Sequence, residues 1–237
     1  MSERGEGETY PKVRLLASPE TTDLLTLRGW TNAPGNLVKC ERMHHALNHR
    51  FWQMLVESTT PISLDVLAQA LHSSRERVKA VLEPEAEYDQ FGNLVGWGLT
   101  LNPTIHQVVL EGHSLYAWCA PDTLYDPVVV NRPAQVVSQC PVTGARIELM
   151  LTPDRLESLS PEAAVVSIAR DWSIFQRLKE AGCIRQGGCN SQFFFASGEV
   201  AAPWVSEHAD FIVLPVEEAF EGLRDVALQQ MALVAHA

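Results

Sequence analysis

Past residue 100 the sequence breaks into short apolar runs: "HQVVL", "LYAWC", "PVVVN", "AQVVSQ", "RIELML" and "AVVSIA". Turn signals separate them at Glu111-Gly112, Asn131-Arg132-Pro133 and Thr143-Gly144. Runs this short, closed by turn residues, read as strands rather than helices. A helix through "WSIFQRLKEAG", a glycine-bearing loop "RQGGCNS" and an apolar "QFFFAS" follow. "AAPWVSEH" reads as a short helix, "FIVLPV" as a strand, and Glu217 to about Ala235 as a closing amphipathic helix. The pattern predicts an α+β fold, a small mixed α/β core with short strands behind a helical region.

That helical region precedes residue 100. From Glu41 to Glu57 the apolar positions Met43, Leu47, Phe51, Trp52, Met54 and Leu55 fit one helical face. Ser63 suits the N-cap of a second helix, and Ser73 with Glu76 has capping-box spacing for a third. "YDQFGNLVGWGLTL" reads as a hairpin turning at Phe91-Gly92-Asn93. Three helices and a hairpin form a winged-helix-like pattern. The expected division is an extension over 1–38, a winged-helix-like region over 39–100 and an α/β catalytic domain over 101–237.

A winged helix raises the question of DNA, and charge argues against it. Lys39, Arg42, Arg50, Arg75, Arg77 and Lys79 are nearly balanced by Glu41, Glu57, Asp65 and Glu76, and the whole chain carries a net charge of −11. Phosphate binding depends on a basic surface. No apolar run approaches the roughly 20 residues that cross a bilayer. The start "MSERGEGETYPK" has no signal-peptide core. A cytoplasmic protein without a nucleic-acid or membrane partner is expected.

The five cysteines, at 40, 119, 140, 183 and 189, are scattered and odd in number, unlike a disulfide framework. Cys119 ends an apolar run, and "APDTL" after it can begin a helical turn with Pro121 near the first position. The sulfur would then face backbone N–H donors and the positive end of a helix dipole, which favours thiolate. Asp122 projects on the same side one turn later. A thiol beside a carboxylate suits nucleophilic attack coupled to proton delivery. Cys189, in the glycine loop beside Arg185, is the second candidate; an incidental cysteine in a glycine turn is the plainer reading of that loop alone. Cys140, before a proline turn, reads as structural, Cys183 as packed on the helix that ends there, and Cys40 as incidental. His45 and His49 have the i, i+4 spacing of a helical metal site, but Ala46 stands where a metalloprotease carries glutamate, and with His44 beside them a solvated face is the better reading.

In combination "EYDQFGNLVGWGLTL", "LYAWCAPDTL", "VSQCPVTGA", "IRQGGCNSQFFFAS", "WVSEH" and "VEEAF" resemble the organomercurial (alkylmercury) lyases of bacterial mercury resistance, in family order from about residue 60 to 222. The resemblance implies a winged-helix-like region fused to a small α/β core, and it implies that Cys119, Asp122 and Cys189 are the catalytic and mercury-binding residues. It also implies that Cys140 is structural. Pro121 departs from a leucine-like residue, and Asn190 from a further cysteine found in some members; both bear on rate and substrate range rather than reaction type. The implied reaction is protonolysis of a carbon–mercury bond, with soft thiolates as ligands for soft mercury. No organic cofactor is implied. Cellular thiols would carry Hg(II) away, with mercuric reductase as its acceptor. Two rivals stand beside this: a non-enzymatic thiol-based mercury sensor or binder, and a cysteine hydrolase using His106 or His113 as base.

Overall fold

The computed structural model describes residues 35–83, 85–170, 174, 177–178 and 184–235. The expected extension before residue 35, and nearly all of the helix expected through "WSIFQRLKEAG", lie outside these residues. The fold is mixed α/β with antiparallel sheets, as the short runs predict. Helix α1 spans Gly35–Ser58, α2 Leu64–Ala70 and α3 Arg75–Leu82. Ser63 caps α2, its side chain accepting from the Asp65 N–H. The cap of α3 is Ser74, which accepts from the Arg77 N–H, one residue beyond the expected Ser73.

Strands β1 (Glu87–Tyr88) and β2 (Leu94–Trp97) form the expected hairpin. Asp89 holds its turn by accepting from the N–H groups of Phe91 and Asn93. Then come β3 (Leu99–Thr100), β4 (Gln107–Leu110), β5 (His113–Ala117), β6 (Ala134–Gln139), β7 (Arg146–Leu151) and β8 (Leu156–Ser160). Together they make one antiparallel sheet in the order β1-β2-β3-β5-β4-β6-β7-β8. A second antiparallel sheet has β9 (Val165–Ala169) between β10 (Phe194–Phe195) and β11 (Phe211–Pro215). Alternation on β6 and β7 buries Val136, Ile147, Leu149 and Leu151 on one face, the period-2 pattern of a half-covered sheet.

Helix α4 covers Ala120–Val130, so "PVVVN", expected as a strand, is the second half of a helix. The expectation fails because β-branched residues prefer strands only weakly, and burial decides. Val128, Val129 and Val130 are all buried, and α4 packs along α6 (Val216–Ala235). Asn131, at φ 54°, ends the helix in the left-handed conformation, and its N–H reaches the carbonyls of Pro127 and Val128. Helix α5, Gly198–Glu207, begins at Ser197, whose hydroxyl accepts from the Val200 N–H. One buried apolar cluster runs from Leu47 and Phe51 of α1 through both sheets to Phe220 of α6. No helix among the described residues is long and apolar enough to cross a membrane.

Gly96 is a close-packing position. A Cβ there would lie 2.1 Å from Glu87 Oε2 and 2.5 Å from the Thr100 Cβ on β3. Gly96→Ala must push β3 away, an overpacking cost of about 1–3 kcal/mol. Urea denaturation is expected to show that loss as a lower midpoint with an unchanged slope.

Candidate active site

Cys119 sits where central strand β5 hands the chain to α4, as the N-cap residue with extended backbone (φ −144°, ψ 168°). Asp122 lies in the first turn of that helix. Cys189 arrives from far along the chain. The glycine segment that carries it is not an open loop: Ile184–Gly188 forms one wide π-helical turn and Cys189–Ser191 a 3-10 turn. Gly187 permits the tight course, since a Cβ would come 2.4 Å from Leu178 Cδ2.

The turn is fixed at both ends. Glu85 accepts from the backbone N–H groups of Ile184 (2.9 Å) and Arg185 (3.2 Å), satisfying donors that a helix start leaves free. At the other end, the Gln192 carbonyl accepts from the Ala120 N–H at the start of α4 (3.1 Å). Ser167 of β9 accepts from the Phe193 N–H at 2.8 Å. These bonds draw the second sheet against the end of the first. The Cys119 and Cys189 sulfurs and an Asp122 carboxylate oxygen all lie within 4.8 Å of one another. Both cysteines are buried, and Asp122 is half-buried with its Oδ2 unpartnered.

The electrostatics differ from expectation in two ways. The helix N-terminus at Cys119 predicts a thiolate there. Burial, the hydrogen bond with the Cys189 thiol and the Asp122 carboxylate instead push its pKa well up, and the Asp122 backbone N–H opposes them only in part. Cys119 therefore rests as a neutral thiol. Arg185, expected beside Cys189 as a charge, is committed elsewhere: it is ion-paired with Glu87, and its Cζ lies 4.8 Å over the Trp118 ring. Burial would raise Glu87, but Thr100 and Arg185 outweigh it and hold that carboxyl below its ordinary value. Asp122 is raised to about 6 by burial, against hydrogen bonds from the Cys119 thiol and backbone N–H. It is thus poised to exchange a proton near neutrality.

The other sequence candidates lie apart from this cluster. Cys140 is buried, with its N–H bonded to the Ala145 carbonyl at 2.9 Å in the β6–β7 turn. The side chains of Cys40 and Cys183 are outside the described residues. His49 bonds Gln53 at 2.9 Å, and His44 packs on Trp97 with ring centroids 4.5 Å apart, so this face is half-buried rather than solvated. His106 Nδ1 is hydrogen-bonded to the Ser138 hydroxyl (2.8 Å), and His113 Nδ1–H donates to the Val56 carbonyl (2.7 Å). Sequence reasoning missed Gln192, a buried amide touching Cys119, and Asp126, a fully buried carboxyl one turn beyond Asp122. The only local signals were a polar residue before "FFF" and an acid before "PVVV".

Two thiols and a proton-exchanging carboxyl, gathered inside an antiparallel α/β scaffold, form a donor set that could hold a soft metal ion through sulfur. The alkylmercury lyase (MerB) family model matches residues 99–227. An alkylmercury lyase of Staphylococcus epidermidis is 40% identical over 171 residues, 71% of this chain and 76% of that protein. One from Streptomyces lividans is 37% identical over 169 residues, 70% of this chain and 75% of that protein. One from Bacillus cereus is 39% identical over 162 residues, 68% of this chain and 71% of that protein. The chain belongs to the alkylmercury lyase family. The mercury-bound form of MerB2, a crystal structure, shares the fold with a TM-score of 0.63 at 21% identity, over 89% of this chain and 97% of that one.

Proposed function

We propose that this protein cleaves the carbon–mercury bond of organomercurials by protonolysis, with Cys119, Cys189 and Asp122 as the working groups. The observation that carries the reading is the convergence of two buried thiols on a carboxyl whose pKa stands at about 6. Family membership supports it independently.

The steps balance within the site. R–Hg⁺ meets the Cys119 thiol; the S–H bond breaks, its proton passes to the Asp122 carboxylate, and a sulfur–mercury bond forms. Cys189 binds mercury next, and its proton leaves with the anion that accompanied R–Hg⁺. Two sulfurs on mercury raise electron density at the attached carbon. Asp122 then returns its proton to that carbon as the carbon–mercury bond breaks, giving R–H and Hg(II) held by two thiolates. An acid near 6 suits both halves of this exchange, whereas an ordinary carboxyl would hold too little proton at pH 7. Asp122 also stands close enough to serve as a ligand to the product.

No organic cofactor enters. Mercury bound by two thiolates leaves by exchange with cellular thiols, and mercuric reductase is the proposed acceptor. Residues 39–100 are read as a winged-helix-like region that supports the catalytic part over 101–237, in a cytoplasmic protein that binds neither nucleic acid nor membrane. The arrangement of α1 to α3 with the β1–β2 hairpin supports that reading. Among the described residues no hydrogen bond joins His106 or His113 to Cys119, whose sulfur meets Gln192, Cys189 and Asp122 instead, and this disfavours a cysteine hydrolase.

The purified protein, given phenylmercury and excess small thiol, is expected to release many equivalents of benzene. Tight mercury uptake with no benzene would sink the lyase reading in favour of a binder or sensor.

A further inference from the structure

Gln192 is buried, and its side-chain amide lies between two fixed groups. The Ala169 backbone N–H, on β9, points at Oε1 from 3.1 Å. A backbone N–H can only donate, so the atom facing it must be the amide oxygen. That choice leaves Nε2, which can only donate, facing the Cys119 sulfur at 3.9 Å. The main chain of Gln192 is held just as firmly: its N–H bonds the Cys189 carbonyl (3.0 Å), and its carbonyl takes the Ala120 N–H (3.1 Å). One residue therefore ties the Cys189 turn to the start of α4 and also aims a donor at Cys119.

We propose that Gln192 is a catalytic residue of the capture step, whose amide N–H stabilises the Cys119 sulfur as it exchanges its proton for mercury. The inference rests on the reading that Cys119 receives mercury. A neutral thiol sulfur is a weak acceptor, and a metal-bound thiolate a stronger one. The same N–H therefore gains value between the resting and metal-bound states, which draws the equilibrium toward capture. Because it withdraws charge from sulfur, it does not assist the later proton transfer to carbon. The expected mark is a split, with KM dependent on the amide and kcat nearly independent of it.

The test replaces the amide with an apolar side chain of similar length, Gln192→Met, in the full chain. The sulfur-to-mercury charge-transfer absorption of the Hg(II)-loaded protein is then recorded, with mercuric chloride as the probe. Losing a donor to sulfur raises the energy of its lone pairs, so the band is expected to move to longer wavelength. With phenylmercury, kcat/KM is expected to fall about fivefold, carried by KM. Gln192→Asn keeps an acceptor for Ala169 but is too short to reach the sulfur as well, and it gives the same readings if Gln192→Met does not fold. A band that stays in place overturns the proposal, because a structural role alone would alter stability and leave the sulfur's electronic state untouched. A shifted band in a protein that releases no benzene even as wild type keeps this inference and sinks the lyase reading.

Discussion

Asp122→Asn is expected to leave the protein able to take up phenylmercury and to cut benzene release by about a hundredfold to ten-thousandfold, the range over which a positioned acid contributes. Asparagine matches aspartate in size, so both thiols keep their places. In the variant the Cys119 proton leaves with the accompanying anion or to solvent, so capture persists, but the amide cannot deliver a proton to carbon. Asp122 is the carboxyl gathered within 4.8 Å of both sulfurs, and burial sets it at about 6. Asp126, one turn on, is fully buried and is no substitute for a group that must meet solvent and substrate. Gas chromatography of released benzene gives the rate, and the mass of the intact protein shows whether phenylmercury stays bound. Unchanged benzene release would mean that the proton reaches carbon from water or a thiol, and the assigned role of Asp122 would fall.

How much of this site the sequence revealed follows from the distance over which each contact forms. Cys119 and Asp122 stand within one helical turn, so spacing alone places them together, and the proline between them marks the helix start. Cys189 is different. Its turn reaches Cys119 through Gln192, 73 residues along the chain from that cysteine, and no local periodicity encodes such an approach. Family resemblance pointed to it where spacing could not. The helix caps were legible to within one residue because Ser63 and Ser74 act on neighbouring N–H groups. The strand expected at "PVVVN" was not, because valine's weak local preference yields to packing on α6. The helix terminus alone predicts thiolate at Cys119, and burial, which sequence does not display, reverses it.

Asp126→Leu is expected to stabilise the protein at pH 7.5, and to do so less at pH 5. Asp126 is fully buried, and neither of its carboxyl oxygens has a hydrogen-bond partner among the described residues. Burial, then the Asp122 carboxylate, then Cys189 push its pKa well above the ordinary carboxylate value. Its folded pKa lies above the unfolded one, so the folded chain binds the proton more tightly. Stability from this group is then greatest below the unfolded pKa of about 3.9, and it is lost as pH rises toward the folded value. Asp122, raised to about 6, acts in the same direction. At pH 7.5 the fold must either ionise Asp126 in an apolar setting or hold its proton against the solvent, and both are costly. Leucine has the same branched skeleton and removes the charge and both orphan oxygens, while its bulkier methyl ends cost part of the gain by overpacking. The expected net gain at pH 7.5 is about 1–2 kcal/mol, which raises Tm by roughly 2–8 °C for a chain of this size. Thermal denaturation of both proteins at the two pH values reads the difference directly. A variant less stable than wild type at both would mean that Asp126 makes a bond that holds α4 in place, and its burial would then be structural support rather than a cost carried beside the active site.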